Sequence, residues 1–172
     1  MATTTPNNGW SVPTSTDYVK DGATAIETLG DAIDASVGTG LLAWTSYTPT
    51  LTNMTLGNGT VTAKYAKLGK IVHLRITFTL GSTSAMGTGP AFSLPPSMTV
   101  AAGQAYPNGT LSVLDSGTAG YVGTIEIIST NLQCWLTTVN ATYPTFANIA
   151  AGQPMVWTTN DVLSVTAIYE VS

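Results

Sequence analysis

Residues 70–80 read KIVHLRITFTL, and their strict alternation restricts the fold more than any other feature of the chain. Val72, Leu74, Ile76, Phe78 and Leu80 fall on one side; His73, Arg75, Thr77 and Thr79 fall on the other. A period of two sustained over this length belongs to an antiparallel strand with one face in a core and one in water. Such a strand needs partners, and the neighbouring sequence supplies them. Residues 60–68 (TVTAKYAKL) alternate in the same way, with Leu68-Gly69 as a tight turn between the two and Asn58-Gly59 as the turn before. Further strands are predicted at residues 44–51, 90–94, 110–114, 121–128, 132–139 and 162–171, with Gly, Pro and Asn between them. About eight short strands predict a mainly β head over residues 41–172, an antiparallel β-sandwich or jelly-roll. Residues 81–89, rich in Gly and Ser, read as a mobile hairpin loop, and residues 141–160 as a long connection of the kind that carries contacts.

Upstream the period changes. Residues 1–16 are polar, with two prolines and an Asn-Asn-Gly turn, and read as an extended arm. Trp10 and Val12 are its sizeable apolar groups, and they are expected either to dock on another surface or to fold back on the following helix. Residues 17–37 carry the one helical signal. Thr16 or Asp17 is positioned to cap it, Asp17 and Asp21 suit the positive end of its dipole, and Gly38 suits a stop. Ile26, Leu29 and Ile33 follow steps of three and four, a heptad seam that extends back to Val19 and Gly22 and forward to Ser36 and Val37. Gly22 and Gly30 each cost about 1 kcal/mol relative to alanine, so a helix of this length needs its apolar stripe covered. The cover is either the β head or copies of the helix in a bundle. Residues 1–40 therefore read as an arm with a docking or trimerisation helix, and Gly38-Thr39-Gly40 as a hinge.

Charge narrows the function classes. Only 8% of the residues are charged, against roughly a quarter in an average soluble protein. A neutral surface rich in Thr and Ser suits a subunit that sits among neighbours. The net charge of −4 lies in residues 1–40, where Asp17, Asp21, Glu27, Asp31 and Asp34 face Lys20 alone. In the head Lys64, Lys67, Lys70 and Arg75 balance Asp115, Glu126, Asp161 and Glu170. These four cations read as the solvated face of a hairpin, too few for a nucleic-acid surface. The chain starts without the basic and apolar run of a signal peptide, and no window reaches the roughly 18 apolar residues of a membrane helix. Synthesis in a cytoplasm, with no membrane insertion, is the expectation.

Catalytic chemistry finds few carriers. His73 is the one histidine and Cys134 the one cysteine, far apart in sequence, with Cys134 in an apolar strand pattern. Neither a nucleophilic triad nor a metal site is indicated. Asp115, Glu126, Asp161 and Glu170 show no spacing that pairs them for glycoside hydrolysis. The Gly-rich stretch lacks the lysine of a phosphate loop. No catalytic residue, cofactor or metal is expected. Asn53, Asn58, Asn108 and Asn140 begin Asn-x-Thr triplets that a Thr-rich chain generates by chance. Among the aromatics, Trp44 and Trp135 lie in predicted strands and are expected in the core. Tyr106, Tyr143 and Phe146 lie near prolines in predicted loops and are the candidate ligand contacts.

Two stretches carry a resemblance. Residues 9–38 hold Trp10, Val12 and Pro13 followed by Asp17, Val19, Asp21-Gly22-Ala23, Ala25-Ile26 and Leu29-Gly30-Asp31-Ala32-Ile33-Asp34. Residues 44–95 hold Trp44, Tyr47-Thr48-Pro49-Thr50, Gly57-Asn58-Gly59-Thr60, Ala63-Lys64-Tyr65, Gly81-Ser82-Thr83 and Ser93-Leu94-Pro95. In this order they resemble structural proteins of tailed bacteriophages that infect actinobacteria, of the minor tail protein, short fibre or head fibre type. Trp157, Asn160-Asp161 and Tyr169-Glu170 fit the same pattern; residues 96–156 do not contribute to it. The resemblance implies a homotrimeric virion protein, attached by its N-terminal arm and helix to capsid or tail proteins, with a β head exposed. It implies no catalytic residue. Trp10, Val12, Val19, Ile26, Leu29, Ile33 and Val37 are then the docking and trimer contacts. The alternative is an adhesin whose head binds host surface glycans.

Overall fold

A computed structural model describes residues 3–6, 9–16, 18–38, 43–103, 108–140 and 142–172, without the side chains of residues 36–38 and 140. The chain divides into two compact units, Met1–Ala43 and Trp44–Ser172. Of the expected hinge, Thr39 and Gly40 lie outside the described residues.

In the first unit the arm is not extended. Strands β1 (Thr3–Thr4) and β2 (Ser11–Val12) pair antiparallel, Thr3 opposite Val12. The Thr5 N–H donates to the Trp10 carbonyl at 2.8 Å, and the Trp10 N–H donates to the Thr5 hydroxyl at 3.0 Å. Gly9 supplies the left-handed φ of 66° that turns the chain. These bonds satisfy backbone groups that an extended arm would leave to water, and β2 lies against the helix α1 (Gly22–Gly38). The arm thus folds back, the second of the two dispositions open to Trp10 and Val12. A 3-10 turn, Val19–Asp21, precedes α1, so the helix begins later than expected. The cap of that turn is Tyr18, with no side-chain capping bond. Thr16 is instead hydrogen-bonded to Thr14 at 3.0 Å, and Asp17 lies outside the described residues. Gly38 is the last residue of α1 and not the stop beyond it.

The second unit is mainly β, as the alternation demands. Its strands are β3 (Thr45–Tyr47), β4 (Leu51–Thr55), β5 (Thr60–Leu68), β6 (Ile71–Thr79), β7 (Ala85–Ser93), β8 (Gly109–Asp115), β9 (Ala119–Ile128), β10 (Asn131–Asn140), β11 (Tyr143–Asn148) and β12 (Val162–Glu170). They form one antiparallel sheet in the order β3-β5-β6-β12-β8-β9-β10-β7-β4, with β11 added to β10. The two ends of that order, β3 and β4, are separated in the chain by residues 48–50 alone. The sheet therefore curls until its edges meet. Ser93 closes the seam: it receives the Tyr47 hydroxyl on its carbonyl at 3.2 Å, receives the Thr50 N–H on its hydroxyl at 2.9 Å, and donates its own N–H to the Thr50 carbonyl at 3.0 Å.

The inner face of the curl is the core. Val72, Leu74, Ile76 and Phe78 of β6 meet Leu163, Val165, Ala167 and Tyr169 of β12, and Leu111, Val113, Ile125, Leu132, Cys134, Leu136 and Phe92 complete it. Each fully buried Leu, Ile or Phe contributes about 1.5–3 kcal/mol. The Tyr169 hydroxyl is buried with no hydrogen-bond partner among the described residues.

Three local expectations are corrected. Residues 44–51 are not one strand: Pro49, which has no N–H for a ladder, is buried at the corner between β3 and β4. Residues 81–89 are not a mobile loop. The Asn58 side chain ties them down, its Oδ1 accepting the Thr83 N–H at 2.9 Å and its amide donating to the Ser82 hydroxyl at 3.0 Å, while the Ser84 hydroxyl donates to the Leu56 carbonyl. From Ala85 the chain is strand β7, with Met86 buried. Residues 141–160 contain β11, which pairs with β10 from Asn140 opposite Tyr143 to Trp135 opposite Asn148.

Candidate functional site

Among the described residues, two places carry groups that the fold does not use. The first is α1. Ile26 and Ile33 are a heptad apart and are 65% and 38% exposed, and Val19 in the preceding turn is 97% exposed. Leu29, Ala25 and Ala32 are half-buried, so one edge of the apolar stripe is covered and the other is open. Trp10 and Val12 are half-buried in the arm hairpin. The side chain of Val37 lies outside the described residues.

The second place is the outer face of β3, β5 and β6. The register sets Ser46 opposite Lys64, Lys64 opposite Arg75, and Arg75 opposite Thr166 of β12. Just before β3, Trp44 reaches over this face. The Arg75 guanidinium sits 4.3 Å from the Trp44 ring centroid, and the His73 ring lies 5.3 Å from it at a tilt of 57°. Such a cation–π contact at an exposed site contributes about 0.5–1 kcal/mol. Beneath the cluster, Ala66 opposite His73 is buried although it points outward.

This arrangement corrects the expectation for the tryptophans. Trp44 is 40% exposed on the outside of the sheet. Trp135 is half-buried on the outside of β10, its indole N–H donating to Glu126 at 3.0 Å. The alternation of His73 and Arg75 was legible, but the strand register that brings Trp44 and Lys64 to them was not. Of the candidate ligand contacts, Tyr143 and Phe146 are both exposed on β11, but three residues apart in a strand they point to opposite faces. Tyr106 lies outside the described residues.

Among the described residues, no group of three or more His, Cys, Asp or Glu side chains is placed to hold a metal ion. Glu126 is engaged by Trp135, and the Asp161 carboxylate is fully buried on backbone donors. The side-chain amides of Asn53 and Asn58 donate to the Gly89 carbonyl and the Ser82 hydroxyl, and Asn108 Oδ1 accepts the Ile127 N–H. Asparagine side chains in three of the four triplets thus work inside the fold; that of Asn140 lies outside the described residues.

Burial pushes the Cys134 thiol and the Tyr47 and Tyr169 phenols above their usual pKa ranges, the two phenols also by the charge of a neighbouring tyrosine. In an unfolded chain the thiol ionises near pH 8.5 and the phenols near pH 10. Above those values the unfolded state holds fewer protons than the folded one, so stability falls as pH rises. The expected result is a denaturant midpoint that is flat up to about pH 8 and declines beyond it, more steeply above about pH 10. Tyr169→Phe removes one of the phenols and is expected to soften the decline above pH 10.

No protein-family model, curated protein or solved structure matches the chain.

Proposed function

We propose that this chain is a non-enzymatic structural subunit of a bacteriophage particle, a homotrimeric short fibre or knob held to capsid or tail proteins by its N-terminal unit. The observation that carries the reading is the open pair Ile26 and Ile33 on α1, with Val19 exposed in the turn before it. An exposed apolar row at heptad spacing on a glycine-containing helix is covered economically by the same row of other copies. The low charge of the head and the likeness of residues 9–38 and 44–95 to virion proteins of actinobacteriophages support the same role. The acids of the helix, Glu27, Asp31 and Asp34, and Asp21 in the turn before it remain available to an attachment partner.

The mass of the full-length protein tests the assembly. Light scattering at micromolar concentration is expected to give three times the chain mass of 17.8 kDa. Ile26→Asp together with Ile33→Asp is expected to return the mass to one chain, since each buried isoleucine contributes about 1.5–3 kcal/mol per copy and a buried carboxylate adds a penalty. The β signal of the head in circular dichroism should be unchanged. A wild-type monomer would overturn the trimer. Antibody against the head, applied to intact particles, tests the location, and particles that never bind it would overturn the virion assignment.

A further inference from the structure

We infer that the outer face formed by Trp44, Lys64, His73 and Arg75 is a binding site for an acidic saccharide, one whose sugar ring carries a carboxylate or a phosphate. The site goes beyond the structural role proposed above and does not depend on it, because it lies within the β unit alone. Its argument begins with a cost. Lys64 and Arg75 are directly opposite each other on adjacent strands, a like-charge pairing that weakens a sheet. The residues flanking them in the same row are Ser46 and Thr166, which neutralise nothing. Among the described residues no carboxylate pairs with either cation. Glu170, the acid of β12, lies opposite Ile71, four residues along β6 from Arg75.

The head holds few charges, so two of its cations set side by side without a counterion form a conspicuous anion site. An anion between them would convert the repulsion into two charge-assisted bonds. The stack on Trp44 fixes the Arg75 guanidinium while leaving its N–H edge for a ligand. The exposed part of the indole beside it offers an apolar platform of the kind that receives the C–H face of a sugar ring. His73, next to both, adds a ring nitrogen that donates or accepts. The site is an open sheet face, which fits a polymer lying across it better than a small molecule that needs enclosure.

Binding of the full-length protein to immobilised polymers, at physiological salt, tests the inference. The probes are alginate for the carboxylate, phosphorylated dextran for the phosphate, neutral dextran, and a single-stranded DNA oligonucleotide. The expected result is retention on one of the two acidic polymers at least about tenfold stronger than on dextran or DNA. The polymer retained identifies the anion. Arg75→Gln and Lys64→Gln should each weaken that retention about tenfold, while Lys67→Gln, whose side chain stands on the other register of β5, leaves it unchanged. Trp44→Ala should weaken it as well; if that variant fails to fold because Ala66 is uncovered, the two cation variants decide alone. Equal retention on dextran, equal retention on DNA, absence of binding, or indifference to Arg75→Gln would each overturn the proposal.

Discussion

Asp161→Ala is expected to destabilise the head by about 3–5 kcal/mol, a large share of the stability of a domain of this size. The carboxylate is fully buried. One oxygen accepts the Ser116 N–H at 3.0 Å; the other accepts the Thr158 N–H at 2.6 Å and the Thr158 hydroxyl at 3.2 Å. Its own carbonyl receives the Leu80 N–H at 2.9 Å. One residue thereby joins the turn after β8, the approach to β12 and the end of β6. Alanine leaves three donors, carried by the otherwise exposed residues Ser116 and Thr158, without this acceptor, each costing about 1–3 kcal/mol less what water recovers. Asp161→Asn keeps one acceptor but turns an amide N–H toward a backbone N–H, and should cost about half as much. Urea unfolding checks both, as a lower midpoint at unchanged slope.

Gly123→Ala is expected to cost about 3 kcal/mol or more, through sterics and not through lost bonding. Gly123 lies in β9 between Leu111 of β8 and Leu136 of β10. A Cβ at this position would overlap the carbonyl oxygen of Trp135 and press on the Leu111 side chain. The oxygen belongs to a strand fixed on both sides, so it cannot retreat without breaking ladder bonds. Gly152→Ala is the matched control. Nothing lies within 4 Å of a Cβ there, and loss of glycine's freedom in the unfolded chain makes that change neutral or slightly stabilising. Thermal unfolding of the two variants side by side should separate them by many degrees.

These two residues mark where sequence stops being informative. The strands β5, β6, β8, β9, β10 and β12 are legible because each keeps an alternation that only one register can bury. Strand β7 is legible only from Pro90 onward, because Gly87 and Gly89 look like turn residues. In the sheet they form a bulge against β4, where Gly87 has no room for a side chain beside the Asn53 carbonyl and Asn53 itself takes a φ of 56°. Strand β11 is hidden in the same way by Pro144 and by an alternation that buries little on either face. In α1 the heptad is plain, but the helix follows a 3-10 turn whose Tyr18 cap has no chemical signature. The Trp44–Arg75 stack depends on cross-strand register, which alternation in single strands does not encode.

The position of β12 has a kinetic consequence. Among the described residues it is the last of ten head strands in the chain, yet it lies between β6 and β8 near the middle of the sheet. During synthesis the β5–β6 hairpin and the β8–β9 hairpin emerge early, each with an inner edge that has no partner. The two stay apart until residues 162–170 arrive between them and join both at once, Val165 pairing with Ile76 on one side and Leu111 on the other. Closure over so long a stretch of chain makes folding slow and leaves bare strand edges waiting. Truncated or stalled chains should therefore accumulate as aggregates, and release of the full head should behave as a single late event.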